Sequence, residues 1–264
     1  MTLHSLASEV LNRLEGRALP QDRPQFLACA GDLCLLRTRE GLRELPRKTL
    51  PPRPDIAHLL DHTLLKPTAT VGEIEQLCRE ALEHGFASVC VNPVWVEHCA
   101  GLLKDSGVRV CTVAGFPLGA STLATKVRET EEALAKGARE IDFVLSLGHV
   151  KAGDWAAVEA EFRTLRRVSG TACLKVILET CLLEDGEKHR ACLLARETGL
   201  DFVKTSTGFS TAGATVEDVA LMRRAVGSSC GVKASGGIRS REAAMHMLFA
   251  GATRLGVSAS LSLI

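Results

Sequence analysis

From about residue 56 the hydrophobic positions of this chain switch period again and again. Short runs in which nearly every residue is apolar or small alternate with longer stretches in which apolar residues recur every three or four positions. The short runs predict strands at 59–64, 88–92, 108–115, 140–147, 173–180, 201–207, 231–235 and 254–258. The longer stretches predict helices at 72–84, 94–105, 121–136, 154–167, 185–198, 215–226 and 240–250. Thr70, Ser121, Asp154, Thr215 and Ser240 stand near the helix starts, where a side-chain oxygen can take an unpaired backbone N–H. Gly85, Gly137, Gly199 and Gly251 stand near the ends, where a left-handed residue often closes a helix. Strands apolar on both faces belong to a parallel sheet covered by helices. Eight of them in this rhythm, over roughly 210 residues, predict an α/β fold, a TIM (β/α)8 barrel, in preference to an open doubly wound sheet. No G-x-G-x-x-G follows the first strand to argue for a dinucleotide site.

Residues 1–54 read differently and are expected to form an N-terminal helix-plus-hairpin extension to a catalytic domain at 55–264. Leu3, Leu6, Val10, Leu11 and Leu14 predict a short amphipathic helix, Pro20 and Pro24 interrupt it, and 26–39 predicts a hairpin around Gly31-Asp32. A joint rich in Pro, Arg and Lys at 45–54 leads into the barrel. The helix is expected to pack across the barrel bottom or against another subunit; the alternative is a docking helix, with residues 1–18 delivering the chain to a partner or a larger assembly.

Composition narrows the function classes. The 264 residues are 46% hydrophobic and 24% charged with a net charge of +1, which asks for neither nucleic acid nor membrane. No apolar run approaches a membrane span and the N-terminus lacks a signal-peptide pattern, so the expected location is cytoplasmic. Of the ten cysteines, Cys78, Cys90, Cys111, Cys173, Cys181 and Cys192 sit in apolar stretches as small core residues. No C-x-x-C pair occurs, so neither a disulfide framework nor a zinc site is expected.

Two of the strand-like runs carry a lysine: Lys204 in Asp201-Phe202-Val203-Lys204-Thr205-Ser206-Thr207-Gly208, and Lys233 in Gly231-Val232-Lys233-Ala234-Ser235-Gly236-Gly237-Ile238-Arg239. A buried ammonium is costly unless paired, neutral or in use. Counting by twos puts Asp142 on a face with Glu140 and Val144, Lys175 with Ile177 and Glu179, Lys204 with Phe202 and Ser206, and Lys233 with Ser235. If those faces point inward, one carboxylate and three lysines converge. An ordinary lysine, with a pKa of about 10.4, is neutral in only about one copy in a few thousand at pH 7. Neighbouring cations and burial would raise that fraction and make Lys204 a nucleophile toward a carbonyl, with Lys233 as its main depressant. Asp142 would then move protons; its alternative is a structural salt bridge to Lys175 or Lys233.

These residues also carry a resemblance. Asp61-His62-Thr63-Leu64-Leu65-Lys66-Pro67, Ser88-Val89-Cys90-Val91-Asn92-Pro93, Ala114-Gly115-Phe116-Pro117-Leu118-Gly119-Ala120, Glu140-Ile141-Asp142, Leu174-Lys175-Val176-Ile177-Leu178-Glu179-Thr180 and the two lysine runs resemble, in order, the signatures of the deoxyribose-phosphate aldolase family. The resemblance implies a class I aldolase on a TIM barrel, with no metal or other cofactor, that cleaves 2-deoxy-D-ribose 5-phosphate to D-glyceraldehyde 3-phosphate and acetaldehyde. It places the Schiff-base lysine on Lys204, the second catalytic lysine on Lys233 and the proton-transferring aspartate on Asp142, with Lys175, Asp61 and Thr205 in support. Phosphorylated sugar and acetaldehyde are the expected partners, and a homodimer or higher homo-oligomer the expected assembly.

Barrels commonly bind phosphate at the loops after the seventh and eighth strands, through backbone N–H groups and a short helix start. Gly236, Gly237, Gly256 and Ser258 fall there, and Gly208 follows the nucleophile strand. Two departures bear on this site: Val257 and Ala259 stand where relatives carry more hydroxyls, and the chain has no tyrosine. The alternatives are another phosphate-binding barrel lyase or transaldolase-like enzyme, and a scaffold component docked by its N-terminal helix.

Overall fold

The computed structural model describes three short strands before residue 47 and the whole of residues 55–264. The chain divides into two compact units, Met1–Pro54 and Asp55–Ile264. In the first, β1 (Gln25–Ala30), β2 (Leu33–Thr38) and β3 (Gly41–Pro46) form an antiparallel sheet in that order. The expected hairpin is its first two strands, with Ala30 opposite Leu33 across Gly31-Asp32. The third strand corrects the sequence reading, which gave 45–54 to a linker; Leu45 and Pro46 belong to β3 and face Cys34 and Leu33. An edge strand pairs on one side only and tolerates charged residues and a terminal proline, so Arg43, Glu44 and Pro46 disguised it. The predicted amphipathic helix lies outside the described residues.

The second unit is a closed parallel barrel. Its strands are β4 (Leu60–Leu64), β5 (Ser88–Val91), β6 (Arg109–Ala114), β7 (Glu140–Val144), β8 (Cys173–Ile177), β9 (Phe202–Lys204), β10 (Gly231–Ser235) and β11 (Arg254–Val257), each paired with its chain neighbours, and β11 closes on β4. The helices outside it are α1 (Val71–His84), α2 (Val96–Leu102), α3 (Leu123–Ala135), α4 (Leu147–Lys151), α5 (Trp155–Ser169), α6 (Asp185–Glu197), α7 (Val216–Val226) and α8 (Arg241–Ala250). Asp154, Thr215 and Ser240 cap their helices by accepting a backbone N–H. The cap of α3 is Thr122, one residue beyond the expected Ser121.

β7 shows how the barrel sorts its side chains. Ile141 and Phe143 pack outward, Phe143 meeting Phe162 of α5 edge-to-face at 5.7 Å between ring centres, a geometry worth roughly 0.5–1.5 kcal/mol beyond area burial. Glu140 and Asp142 alternate with them and take the interior. At its mouth end β7 is fixed by Lys126 of α3, which is fully buried and donates to the Val144 carbonyl (2.8 Å), Ser146 Oγ (3.0 Å) and Glu161 of α5 (2.5 Å).

Several strands stop short of their predicted ends. β7 ends at Val144 and gives way to α4, β8 ends at Ile177 and β9 at Lys204. Apart from Glu179 the residues beyond are apolar or hydroxylated and so look strand-like, yet they leave the ladder. Glu179 takes a left-handed backbone (φ 53°), and its carboxylate accepts from Thr207 through both the backbone N–H and the hydroxyl instead of joining the lysines.

Candidate active site

Register brings the chemistry together before any side chain is considered. Lys233 on β10 lies beside Lys204 on β9, and Asp142 on β7 lies beside Lys175 on β8. The side chains then meet in the barrel. Asp142 Oδ1 accepts from Lys175 at 2.8 Å, and its Oδ2 accepts from Lys204 at 2.9 Å and from Lys233 at 2.7 Å. All four groups are almost completely buried.

The interior holds more carboxylate than the sequence reading counted. Asp61 on β4 ion-pairs with Lys233, and Glu140 with Lys175, so the three lysines face three carboxylates and not one. The charge logic changes accordingly. Burial alone would push Asp142 upward, but Lys175, Lys204 and Lys233 outweigh it and hold the carboxyl well below the usual range. Burial likewise opposes the charged form of Asp61, and Lys233, Lys175 and Arg254 hold it low. At Lys175 and Lys233 burial favours the neutral amine, yet the carboxylates dominate: Asp142 first for both, then Glu140 among those acting on Lys175 and Asp61 for Lys233. Both ammonium groups are held above the ordinary lysine range, so at Lys175 and Lys233 the carboxylates outweigh both burial and the neighbouring cations.

Cys90 and Cys111, read from the sequence as core filler, line the same interior. Cys111 Sγ lies 3.2 Å from Asp142 Oδ1 and 3.4 Å from Lys175 Nζ. Two donor triplets, Cys90–Cys111–Asp142 and Asp61–Cys111–Glu140, have their ligand atoms within 4.8 Å of one another. In each the carboxylates are already paired with ammonium groups, which would repel an entering cation.

Lys204 is the member of the cluster that reaches open space. It is 3% exposed and lines a cavity of about 220 Å³ together with Gly208, Ser235, Gly236, Gly237, Gly256 and Ser258. All five residues expected around a phosphate therefore border one space with the expected nucleophile. Gly208, Gly236 and Gly237 have φ of 85°, 85° and 78°, a region that favours glycine. A Cβ on Gly256 would fall 2.5 Å from Ser235 Oγ and 2.9 Å from Lys233 Cε, so only glycine passes between the strand end and the charge cluster. Val257 also borders the cavity. Thr205 does not: its hydroxyl accepts from the Ser235 backbone N–H at 3.0 Å and reaches the Ser235 carbonyl at 3.2 Å, tying β9 to β10.

Sequence reasoning gave no role to Arg239 or Arg254, and none to Ser235 beyond sharing the Lys233 face. Arg239, at the end of the quoted Lys233 run, is exposed and borders the cavity. Arg254, at the start of the last strand, reaches inward to Asp61 at 2.6 Å. Ser235 Oγ is buried at the cavity wall and has no hydrogen-bond partner among the described residues. The alternation rule could have found Arg254, which occupies the register position beside Lys233.

A model of the DeoC/LacD family aldolases matches residues 56–259. The chain belongs to the DeoC/LacD aldolase family. Among its relatives, the deoxyribose-phosphate aldolase of Brevibacillus brevis is 57% identical over 205 residues, covering 78% of this chain and 93% of the relative. That of a Thermoanaerobacter species is 55% identical over 213 residues, covering 80% and 96%. The deoxyribose phosphate aldolase of Aeropyrum pernix, described as having a unique tetrameric structure, superposes with a TM-score of 0.75 at 36% identity over 80% of this chain and 90% of that one. This DeoC/LacD member is thus a class I aldolase, a carbon–carbon lyase. Among its described residues no helix is long and apolar enough to cross a membrane.

Proposed function

We propose that this aldolase cleaves 2-deoxy-D-ribose 5-phosphate reversibly to D-glyceraldehyde 3-phosphate and acetaldehyde through a Schiff base on Lys204. One observation carries the reading: the interior lysine that borders the cavity is also the one whose cavity runs on to the glycine loops after β9, β10 and β11. The names of the relatives supply the substrate.

The free amine of Lys204 adds to the C1 aldehyde of the open-chain sugar, and the carbinolamine loses water to give an iminium ion. Removal of the C3 hydroxyl proton breaks the C2–C3 bond, leaves D-glyceraldehyde 3-phosphate, and sends the electron pair into an enamine on Lys204. Protonation at C2 and hydrolysis, which returns the water, release acetaldehyde. Asp142 faces the ammonium before reaction and the iminium after it, and a preorganised carboxylate is worth far more in this dry interior than in water. So low a pKa makes Asp142 a weak base by itself. Acting directly or through a water, it takes the C3 hydroxyl proton and returns that proton to C2 of the enamine, while Lys233, 2.7 Å from the same carboxylate oxygen, shares the proton in transit. The phosphate is held by backbone N–H groups of Gly208, Gly236, Gly237, Gly256 and Ser258, with the Arg239 guanidinium at the rim.

Borohydride reduction with acetaldehyde, followed by peptide mass mapping, tests the assignment. The adduct is expected on Lys204, and Lys204→Ala should lose it together with turnover. An adduct on Lys233 with Lys204 untouched would overturn it. Release of acetaldehyde from deoxyribose 5-phosphate separates this activity from other phosphate-binding barrel lyases. We further read the chain as a homo-oligomer, supported by the tetrameric Aeropyrum pernix relative; light scattering should return a multiple of 28.2 kDa.

A further inference from the structure

The interior charges close on themselves. From Asp142 Oδ1 the path runs to Lys175 (2.8 Å), to Glu140 Oε2 (2.5 Å), to Arg254 (3.2 Å), to Asp61 Oδ1 (2.6 Å), through the other oxygen of Asp61 to Lys233, and back to Asp142 Oδ2 (2.7 Å). Three anions and three cations alternate, so the ring is formally neutral and no two neighbours in it repel. Lys204 hangs outside it. Lys175 and Lys233 each touch two carboxylates, whereas among the described residues Lys204 touches one, Asp142. It is also the lysine of the three that borders the cavity.

We propose that Glu140 and Arg254 are positioning residues for the aldol reaction: by closing the ring on the side away from the cavity, they hold Lys175 and Lys233 each between two carboxylates and leave Lys204, with Asp142 alone, facing the cavity. The proposal rests on the reading of Lys204 as the Schiff-base residue. Neither Glu140 nor Arg254 borders the cavity, so neither touches substrate. Arg254 is further fixed by its approach to the Phe202 ring, 5.4 Å from the centre. Without Glu140, Lys175 would have Asp142 alone and would draw it from Lys204. Without Arg254, Glu140 and Asp61 would each lose a cation, and the ring would carry one net negative charge.

The other charged or titratable groups facing the ring come from several strands. Arg109 on β6 meets Glu140 from outside the ring at 3.3 Å. Burial pushes the Cys111 thiol well up and Cys173 up to about 12, so both stay neutral through the working range. Cys90 is drawn down from the usual thiol range by its hydrogen bond with Cys111. The acid limb is the readout because the substitutions change the charge beside an ammonium that must lose its proton before it can add to the carbonyl.

The experiment measures acetaldehyde trapping by borohydride, with mass mapping, and kcat/KM for deoxyribose 5-phosphate against pH. Glu140→Gln removes an anion and makes any nearby ammonium costlier, so the acid limb should move to lower pH. Arg254→Met removes a cation and should move it to higher pH, each by about one unit. The double variant, neutral again, should return close to the parent profile at reduced height. Arg254→Lys keeps the charge without the fork and should keep the profile in place, which preserves the test if Arg254→Met does not fold. Limbs that move the same way, or profiles that only lose height, would overturn the proposal while trapping stays on Lys204. Trapping elsewhere in the parent enzyme would instead remove the Schiff-base reading beneath it.

Discussion

Replacing Asp142 by Asn keeps the shape of the side chain and deletes the charge at the centre of the lysine cluster. At 2.9 Å from Lys204 a unit charge contributes on the order of 6 kcal/mol of attraction at an effective dielectric of about 20, most of it offset in the native state by desolvation. Its removal acts on two steps in opposite directions. The Lys204 ammonium loses its carboxylate while Lys175 and Lys233 remain nearby, so the neutral amine becomes easier to reach and trapping with acetaldehyde should persist and extend toward acid. Proton transfer in C–C cleavage loses its carboxylate, and a positioned acid–base group is worth about 10²–10⁴-fold. The expected result is cleavage of deoxyribose 5-phosphate slowed by about that factor, loss of α-proton exchange on acetaldehyde, and an adduct still mapped to Lys204. Trapping and cleavage falling together by one factor would show that Asp142 only organises the site, and unimpaired proton exchange would remove it from the mechanism.

Other outcomes follow from separate parts of the structure. Lys126→Met strands the buried Glu161, 2.5 Å from Lys126 Nζ in the native chain, and should cost about 3–5 kcal/mol, read as a melting temperature lower by about 6–20 °C in a domain of this size. Gly256→Ala drives a methyl group toward Ser235 and Lys233 and should raise KM for the phosphorylated sugar more than it slows trapping of acetaldehyde; equal effects on both would show a general disturbance of the barrel. Stability should be flat at intermediate pH. The depressed carboxyls of Asp61 and Asp142 contribute fully above their unfolded value of about 3.9 and lose that contribution as pH falls from there toward the folded values. The raised Lys175 and Lys233 contribute fully below about 10.4 and lose it as pH rises toward theirs, so denaturant midpoints measured across pH should drop at both ends and a maximum at one extreme would contradict this.

Strand periodicity made the barrel and the convergence of Asp142, Lys175, Lys204 and Lys233 legible, because alternation fixes which side chains share a face and register does the rest. The strand ends were not legible. Thr205 and Glu179 have strand-like neighbours, but their polar groups bond the backbone and hydroxyl of adjacent loops, contacts between residues about 30 positions apart that no local pattern encodes. Arg254 was passed over for a different reason: at the first position of a strand it reads as a surface cation, although alternation puts it on the face of Gly256 and beside Lys233, from where it reaches Asp61. The third strand of the N-terminal sheet was hidden by its charge.

The ring of interior charges is also divided along the chain. Asp61, Glu140 and Asp142 all come from β4 and β7 in the first half of the barrel, whereas the ring cations Lys175, Lys233 and Arg254 come from β8, β10 and β11, with Lys204 beside the ring on β9. A fragment ending before β8 would carry buried anions without their cations, and the complementary fragment the reverse. Each half is therefore unsuited to stand alone and strongly drawn to the other, so the barrel closes as one cooperative event whose rate, for fragments mixed in solution, should fall steeply with added salt.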